Sequence, residues 1–214
     1  MAKIYIRPVR LNKWFPPHDP LATIVARLCI LREDFALEMR GMMAEHIIPL
    51  DEHSAQWRRL YFFRNIVRTL SEIRSAIETL RRNSHFKRML SEESEPKQVQ
   101  FGELLEKLNR DHPVLKEVRN SVGGHVLEVS VQKGLNGIAA DFDSQGFIEI
   151  GGSLGKSHYK FAYQLVVATL LGETPDAERT KKLEDVFRTI GGLITVFEIV
   201  EKIVVMYATD RELI

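Results

Sequence analysis

The sequence predicts a mainly α protein, a bundle of roughly five to seven helices carrying one small β-hairpin. Two long stretches with apolar residues three and four apart predict it, together with proline and glycine placed at helix ends. One stretch, residues 138–150, alternates like two strands around a turn.

Residues 1–20 read as irregular, because Pro8, Pro16, Pro17 and Pro20 interrupt any long element. Residues 3–9 offer at most a short strand. Asp19-Pro20 reads as a helix start, with Asp19 as N-cap and Pro20 at the first helical position. Leu21, Ile24, Val25, Leu28, Leu31, Phe35 and Met39 then form a helical stripe, which Gly41 weakens and Pro49 ends. Trp57, Leu60, Tyr61, Phe63, Val67, Leu70, Ile73, Ile77 and Leu80 read as the apolar stripe of a second helix. Its other faces carry Arg58, Arg59, Arg64, Arg68, Arg74, Arg81 and Arg82. The short link between the two predicts an antiparallel pair.

Residues 91–100 are polar and contain Pro96, which predicts a loop; helical pattern resumes over 101–108. Asp111-His112-Pro113 reads as another helix start, and Leu115, Val118 and Val122 carry that helix to a stop at Gly123-Gly124. Residues 126–135 read as a short helix stopped by Gly134 and Asn136-Gly137. Asp143-Ser144-Gln145-Gly146 reads as the turn of the hairpin, between strands 139–142 and 147–150. Helices over about 157–171 and 177–208 complete the pattern. Gly191-Gly192 inside the last one costs about 1 kcal/mol per glycine against alanine. Residues 1–214 thus read as a single helical domain, with an irregular segment at 1–20 and a hairpin near 138–150.

With 214 residues, 44% of them hydrophobic, the chain is long enough to bury one sizeable core. Thirty basic against 29 acidic residues leave a net charge of +1, which excludes a generic polyanion binder but leaves room for a local basic patch. The one cysteine, Cys29, permits no intrachain disulfide and no thiolate metal cage. It lies in the apolar run 24–31 and reads as a buried structural thiol, in keeping with a reducing compartment. Neither a secretory signal nor an apolar run of bilayer length is present, so the sequence predicts a cytoplasmic protein with no membrane partner.

Most common chemical motifs are missing. Gly151-Gly152-Ser153-Leu154-Gly155-Lys156 lacks the first glycine of a phosphate loop at the right spacing and reads as a hairpin exit. The seven histidines never stand four apart on a helix. Asp51-Glu52-His53 sits at a helix start, where acids favour the dipole and cap amides rather than bind a metal. His112 and His158, the latter read into the first turn of a helix, have no acid–base partner nearby in sequence. No metal and no cofactor are expected.

Residues 119–125, Arg-Asn-Ser-Val-Gly-Gly-His, are different. Arg119 and Asn120 occupy a helical turn, and Gly123-Gly124 admits left-handed backbone angles that bring His125 back toward them. A permanently charged arginine holds a phosphate with a forked donor set. A histidine exchanges protons near neutral pH, and an asparagine orients either one. These are the minimum parts for metal-free cleavage of RNA, in which the ribose 2′-hydroxyl attacks its own phosphate.

An Arg followed by a polar residue and then a His, near a helix end in an all-α bundle, resembles the HEPN superfamily. Val118-Arg119-Asn120-Ser121-Val122-Gly123-Gly124-His125-Val126 is similar to its motif, with five residues between Arg and His where four is commoner. The resemblance implies a four- or five-helix bundle and an active site shared across a homodimer. Many members are ribonucleases of toxin–antitoxin, phage-defence and CRISPR systems; others act as binding or assembly modules. It implies that Arg119 stabilises the phosphate, His125 acts as acid or base, and Asn120 orients them. RNA and a cognate antitoxin or defence-system protein would be the partners. The arginine-rich second helix admits two readings. One is a solvated face with ion pairs to Glu72 and Glu78; the other is a set of phosphate contacts for RNA at Arg64, Asn65 and Arg68. The competing reading of the whole chain is a non-catalytic helical dimer, part of whose last apolar stripe faces another chain.

Overall fold

The computed structural model describes residues 9–43, 52–110, 116, 118–120, 128–139, 148–149, 158–159, 161–171, 178, 181 and 194–213. The elements are α1 (Leu11–Trp14), α2 (Pro20–Met43), α3 (Glu52–Arg82), α4 (Ser84–Glu92), α5 (Glu95–Arg110), α6 (Glu128–Ala139), β1 (Ile148–Glu149), β2 (His158–Tyr159), α7 (Phe161–Leu171) and α8 (Ile194–Asp210). The described chain is mainly helical, as its periodicity predicts. Among the described residues no helix is long and apolar enough to cross a membrane.

The chain forms two compact units. The first takes in Met1–Glu33, Glu72–Asn109 and Ile194–Ile214; the second takes in Asp34–Ser71 and Arg110–Leu193. Both α2 and α3 contribute a part to each.

In the first unit, α2 starts where the sequence predicts. His18 takes a left-handed backbone angle (φ 70°) and turns the chain into Asp19. The Asp19 carboxylate then accepts from the N–H groups of Leu21 (2.8 Å) and Ala22 (3.1 Å), satisfying donors that have no partner within the helix. Leu21, Val25 and Leu28 of α2, Ile73, Ile77 and Leu80 of α3, and Phe86 and Met89 of α4 are buried. So are Phe101, Leu104 and Leu108 of α5 and Val196, Ile199, Val200, Ile203 and Tyr207 of α8. The apolar stripe of the last helix, where described, is therefore used inside this unit. Tyr207 donates its hydroxyl proton to the Trp14 carbonyl and stacks on Phe15 at 6.1 Å. After α8 the chain closes with Leu213 N–H donating to the Ala208 carbonyl (2.8 Å) and Glu212 in the left-handed region (φ 52°), a C-cap that usually takes glycine.

Residues 95–100 correct the predicted loop. Asn83 caps α4 by accepting from Phe86 N–H at 3.0 Å, and α4 ends at Glu92. Ser94 then starts α5, its carbonyl accepting from Lys97 (2.9 Å) and Gln98 (3.1 Å). Pro96 falls in the first turn, where a missing N–H costs nothing. The Gln98 amide donates to the Glu93 carbonyl (2.7 Å), tying the new helix to the end of the old one.

In the second unit, Phe35 of α2 and Leu60, Phe63, Ile66, Val67 and Leu70 of α3 are buried, as are Val118 and Val166, Leu170 and Leu171 of α7. Helices α6 and α7 pack closely. Gly134 allows this: a Cβ there would stand 3.0 Å from the Leu165 carbonyl oxygen and against the Thr169 hydroxyl. The glycine that reads as a helix stop is instead a helix–helix contact, and α6 runs on through Gly137. Packing thus overrides local propensity. The predicted hairpin is corrected as well, because Ile138 and Ala139 end a helix. Its second strand does exist as β1, but β1 pairs antiparallel with β2, Ile148 opposite Tyr159 and Glu149 opposite His158. His158 accordingly stands in a strand, not in the first turn of a helix. The Asp143 to Gly146 turn lies outside the described residues.

Candidate nucleic-acid interface

Residues 116 and 118–120 are helical. Val118 is buried and anchors the segment, while Arg119 and Asn120 are exposed. The two polar residues of the motif therefore share the outer side of a helix, presented to solvent rather than absorbed into the core. His125 and Gly123-Gly124 lie outside the described residues, as does the Asp51 position of the acidic cluster. Glu52 opens α3, the position at which an acid favours the helix dipole.

Arg64, Asn65 and Arg68 stand on α3 within the second unit. Arg68 is exposed, and Arg64 and Asn65 are half-buried. Burial holds the Arg64 guanidinium below its ordinary value, against an opposing effect of Tyr61 beside it. A partly desolvated cation interacts more strongly with an incoming anion than a fully hydrated one does.

Two acids of α3 are engaged in ion pairs. Glu72 pairs with Arg27 of α2, and Glu78 pairs with Arg74 at 2.8 Å. The ion-pair reading of the helix therefore accounts for Arg74.

Sequence reading missed two residues of this face. Trp57 and Tyr61 were expected in the apolar stripe, yet they are 36% and 54% exposed. Leu60, Phe63, Ile66, Val67 and Leu70 form the buried side, and Trp57, Tyr61, Arg64 and Arg68 fall on the opposite one at spacings of four, three and four. The spacing of 57 and 61 to the arginines, rather than to the leucines, was the available signal. Tyr61 is steadied by an edge-on contact with the Phe62 ring, centroids 5.4 Å apart. The Phe62 ring in turn occupies the space that a side chain at Gly41 would need.

Other candidates among the described residues are otherwise engaged. Burial first, and then the charge of Glu33, push the Cys29 thiol up, away from the thiolate form, with Arg32 opposing. The half-buried cysteine fits a structural thiol. A cleft of about 410 Å³ in the first unit is lined by α5 and α8, but Lys97 is held by Glu93 and Lys202 by Gln100, both at 2.7 Å. Among the described residues no group of three or more His, Cys, Asp and Glu side chains could hold a metal ion. Compared with known proteins, the chain matches no family model, no curated protein and no solved structure.

Proposed function

We propose that the protein is a HEPN-like, metal-independent endoribonuclease that acts as a homodimer in a defence or toxin system, opposed or assisted by a cognate antitoxin or defence-system protein. The observation that carries this reading is the outward placement of Arg119 and Asn120 on a helix whose Val118 is anchored in the core. It is the arrangement that the motif needs just before Gly123-Gly124-His125.

In the proposed reaction His125 takes the proton of a ribose 2′-hydroxyl, and the 2′-oxygen attacks the adjacent phosphorus. Arg119 holds the non-bridging oxygens as negative charge builds on them. The bond from phosphorus to the 5′-oxygen breaks, and that oxygen regains a proton, leaving a 2′,3′-cyclic phosphate and a free 5′-hydroxyl. Asn120 orients the pair. The test is incubation of the purified protein with RNA in excess chelator, beside Arg119→Ala and His125→Ala. Cleavage that survives chelation and is lost in both variants supports the reading. Cleavage by neither wild type nor variants turns it toward a binding or assembly module.

A further inference from the structure

We infer that the corner between α3 and α4 binds the phosphate backbone of RNA, through Arg81 and Arg82 at the end of α3 and Lys87 and Arg88 on α4. The inference deepens the proposed function and rests on it for the identity of the polyanion.

Charge is the first observation. Residues 79–91 carry four permanent cations, Arg81, Arg82, Lys87 and Arg88, and no Asp or Glu. All four are exposed. Two acids approach them among the described residues, and both meet Arg88: Asp210 of α8 at 3.3 Å and Glu92 at 3.6 Å. Asp210 is shared besides with His85, whose Nε2 lies 2.8 Å from its other oxygen. The side chains of Arg81, Arg82 and Lys87 have no acidic partner among the described residues. In a chain of net charge +1, that excess is a local basic field.

The second observation is how the corner is held. Asn83 is the single residue between the two helices. Its N–H donates to the Leu80 carbonyl (2.9 Å), and its side chain accepts from the Phe86 N–H (3.0 Å). Arg81 and Arg82 are thereby fixed at the start of α4, and Lys87 and Arg88 stand about one turn into it.

The third observation selects the occupant. Residues 81, 82, 84, 87, 88 and 91 are exposed, and every one is a cation or a serine. The apolar side chains Leu80, Phe86 and Met89 are buried. A protein partner binds through apolar or aromatic anchors that leave water, and those residues offer none. A phosphate backbone needs no such anchor, because its affinity comes from counterions released as cations neutralise phosphates. Guanidinium forks also match phosphate oxygens two at a time. Phosphates carry the same charge beside any base, so binding here is indifferent to sequence.

Fluorescence anisotropy with the whole chain and a single-stranded 2′-O-methyl oligoribonucleotide tests this. The probe lacks the 2′-hydroxyl that the proposed reaction uses, so the wild type leaves it intact. Arg81→Ala, Arg82→Ala and Lys87→Ala should each reduce the slope of log affinity against log salt by about 0.7, and the triple variant by about 2. Arg82→Lys should keep the slope, and probes of unrelated sequence should bind alike. Lys107→Ala, at an exposed lysine of α5, should change nothing. Thermal melts of each variant separate loss of binding from loss of fold. Unchanged slopes in the folded alanine variants overturn the inference, and so does an equal fall in Lys107→Ala. It is overturned as well if the wild type binds no RNA, or binds vesicles of anionic lipid more tightly than RNA. Binding that depends on the corner in a protein that cleaves nothing supports the site and removes the nuclease. Arg119-dependent cleavage with binding indifferent to Arg81, Arg82 and Lys87 does the reverse.

Discussion

Glu38 and Thr69 meet inside the second unit, the Thr69 hydroxyl donating to one carboxylate oxygen at 2.9 Å while the other oxygen has no partner. The Glu38 residue is only 9% exposed. Burial pushes its carboxyl up from the ordinary value; the Thr69 hydrogen bond and the Arg68 charge work against that, and Asp34 adds to it. A carboxyl whose pKa is raised by folding binds protons more readily in the native state. It therefore costs stability as pH rises through its folded value, and that cost is absent below the unfolded value near 4.5. Glu38→Gln keeps an acceptor for Thr69 and removes the charge. It should flatten the pH dependence of stability above that value. Thr69→Val should cost about 1–3 kcal/mol by leaving both oxygens without a donor, more at neutral than at acidic pH. Denaturant unfolding at several pH values measures both.

Asp19 has the opposite sign. Burial pushes its carboxyl up, but the Ala22 N–H, the hydrogen bond and charge of Arg211, and the Leu21 N–H outweigh burial and hold it below its ordinary value. Its contribution is present above the unfolded value of 3.8 and is lost as pH falls through the lower folded one. Asp19→Ala removes the cap and the Arg211 ion pair together, for a loss of about 1–2 kcal/mol at neutral pH. Asp19→Asn keeps an N-cap acceptor and should recover a large part of it. An acid titration of stability should be shallower in either variant than in the wild type.

Gly134→Ala should destabilise by about 1–3 kcal/mol, because the added methyl meets a backbone carbonyl that cannot turn aside. The effect runs against helix propensity, which favours alanine by about 1 kcal/mol. A thermal melt decides the sign. Gly102→Ala supplies the control: it is helical with nothing near its added Cβ, and it should be neutral or stabilising.

Arg119→Ala should change stability by no more than about 0.5 kcal/mol, since the side chain is exposed. Its cleavage rate should fall by about 100-fold or more if the guanidinium stabilises the developing charge. Arg119→Lys should restore little, because a point charge lacks the forked donor geometry. A histidine acting as acid and base predicts a bell-shaped rate profile, to be measured in chelator with the wild type.

What the sequence made legible were features whose cause is local. Asp19-Pro20 marks the start of α2 because the cap bonds reach only two and three residues ahead. The helical turn at Arg119 and Asn120 was readable from the spacing of Leu115, Val118 and Val122 in the sequence. Residues whose placement depends on tertiary contact were not readable. Gly134 reads as a stop until α7 is there to fill the space beside it. Pro96 reads as a loop until Ser94 is seen to cap the turn around it. Trp57 and Tyr61 have core-like side chains, so residue type hid their outward direction. Glu38 looks like a surface acid four residues from Asp34, and nothing local announces that it is buried beside Thr69.

The first unit is assembled from both ends of the sequence: α2 lies near one end, α8 near the other, and Tyr207 bonds back to Trp14 across the whole chain. During synthesis, Leu21, Val25 and Leu28 must wait for α8 before their unit can close, while residues 34–71 and 110–193 of the second unit have all emerged by then. Non-local closure of this kind is slow and leaves apolar surface uncovered in the interval. A nascent chain arrested before residue 194 should therefore be the species that chaperones hold and proteases cut, and the cut should fall near its beginning.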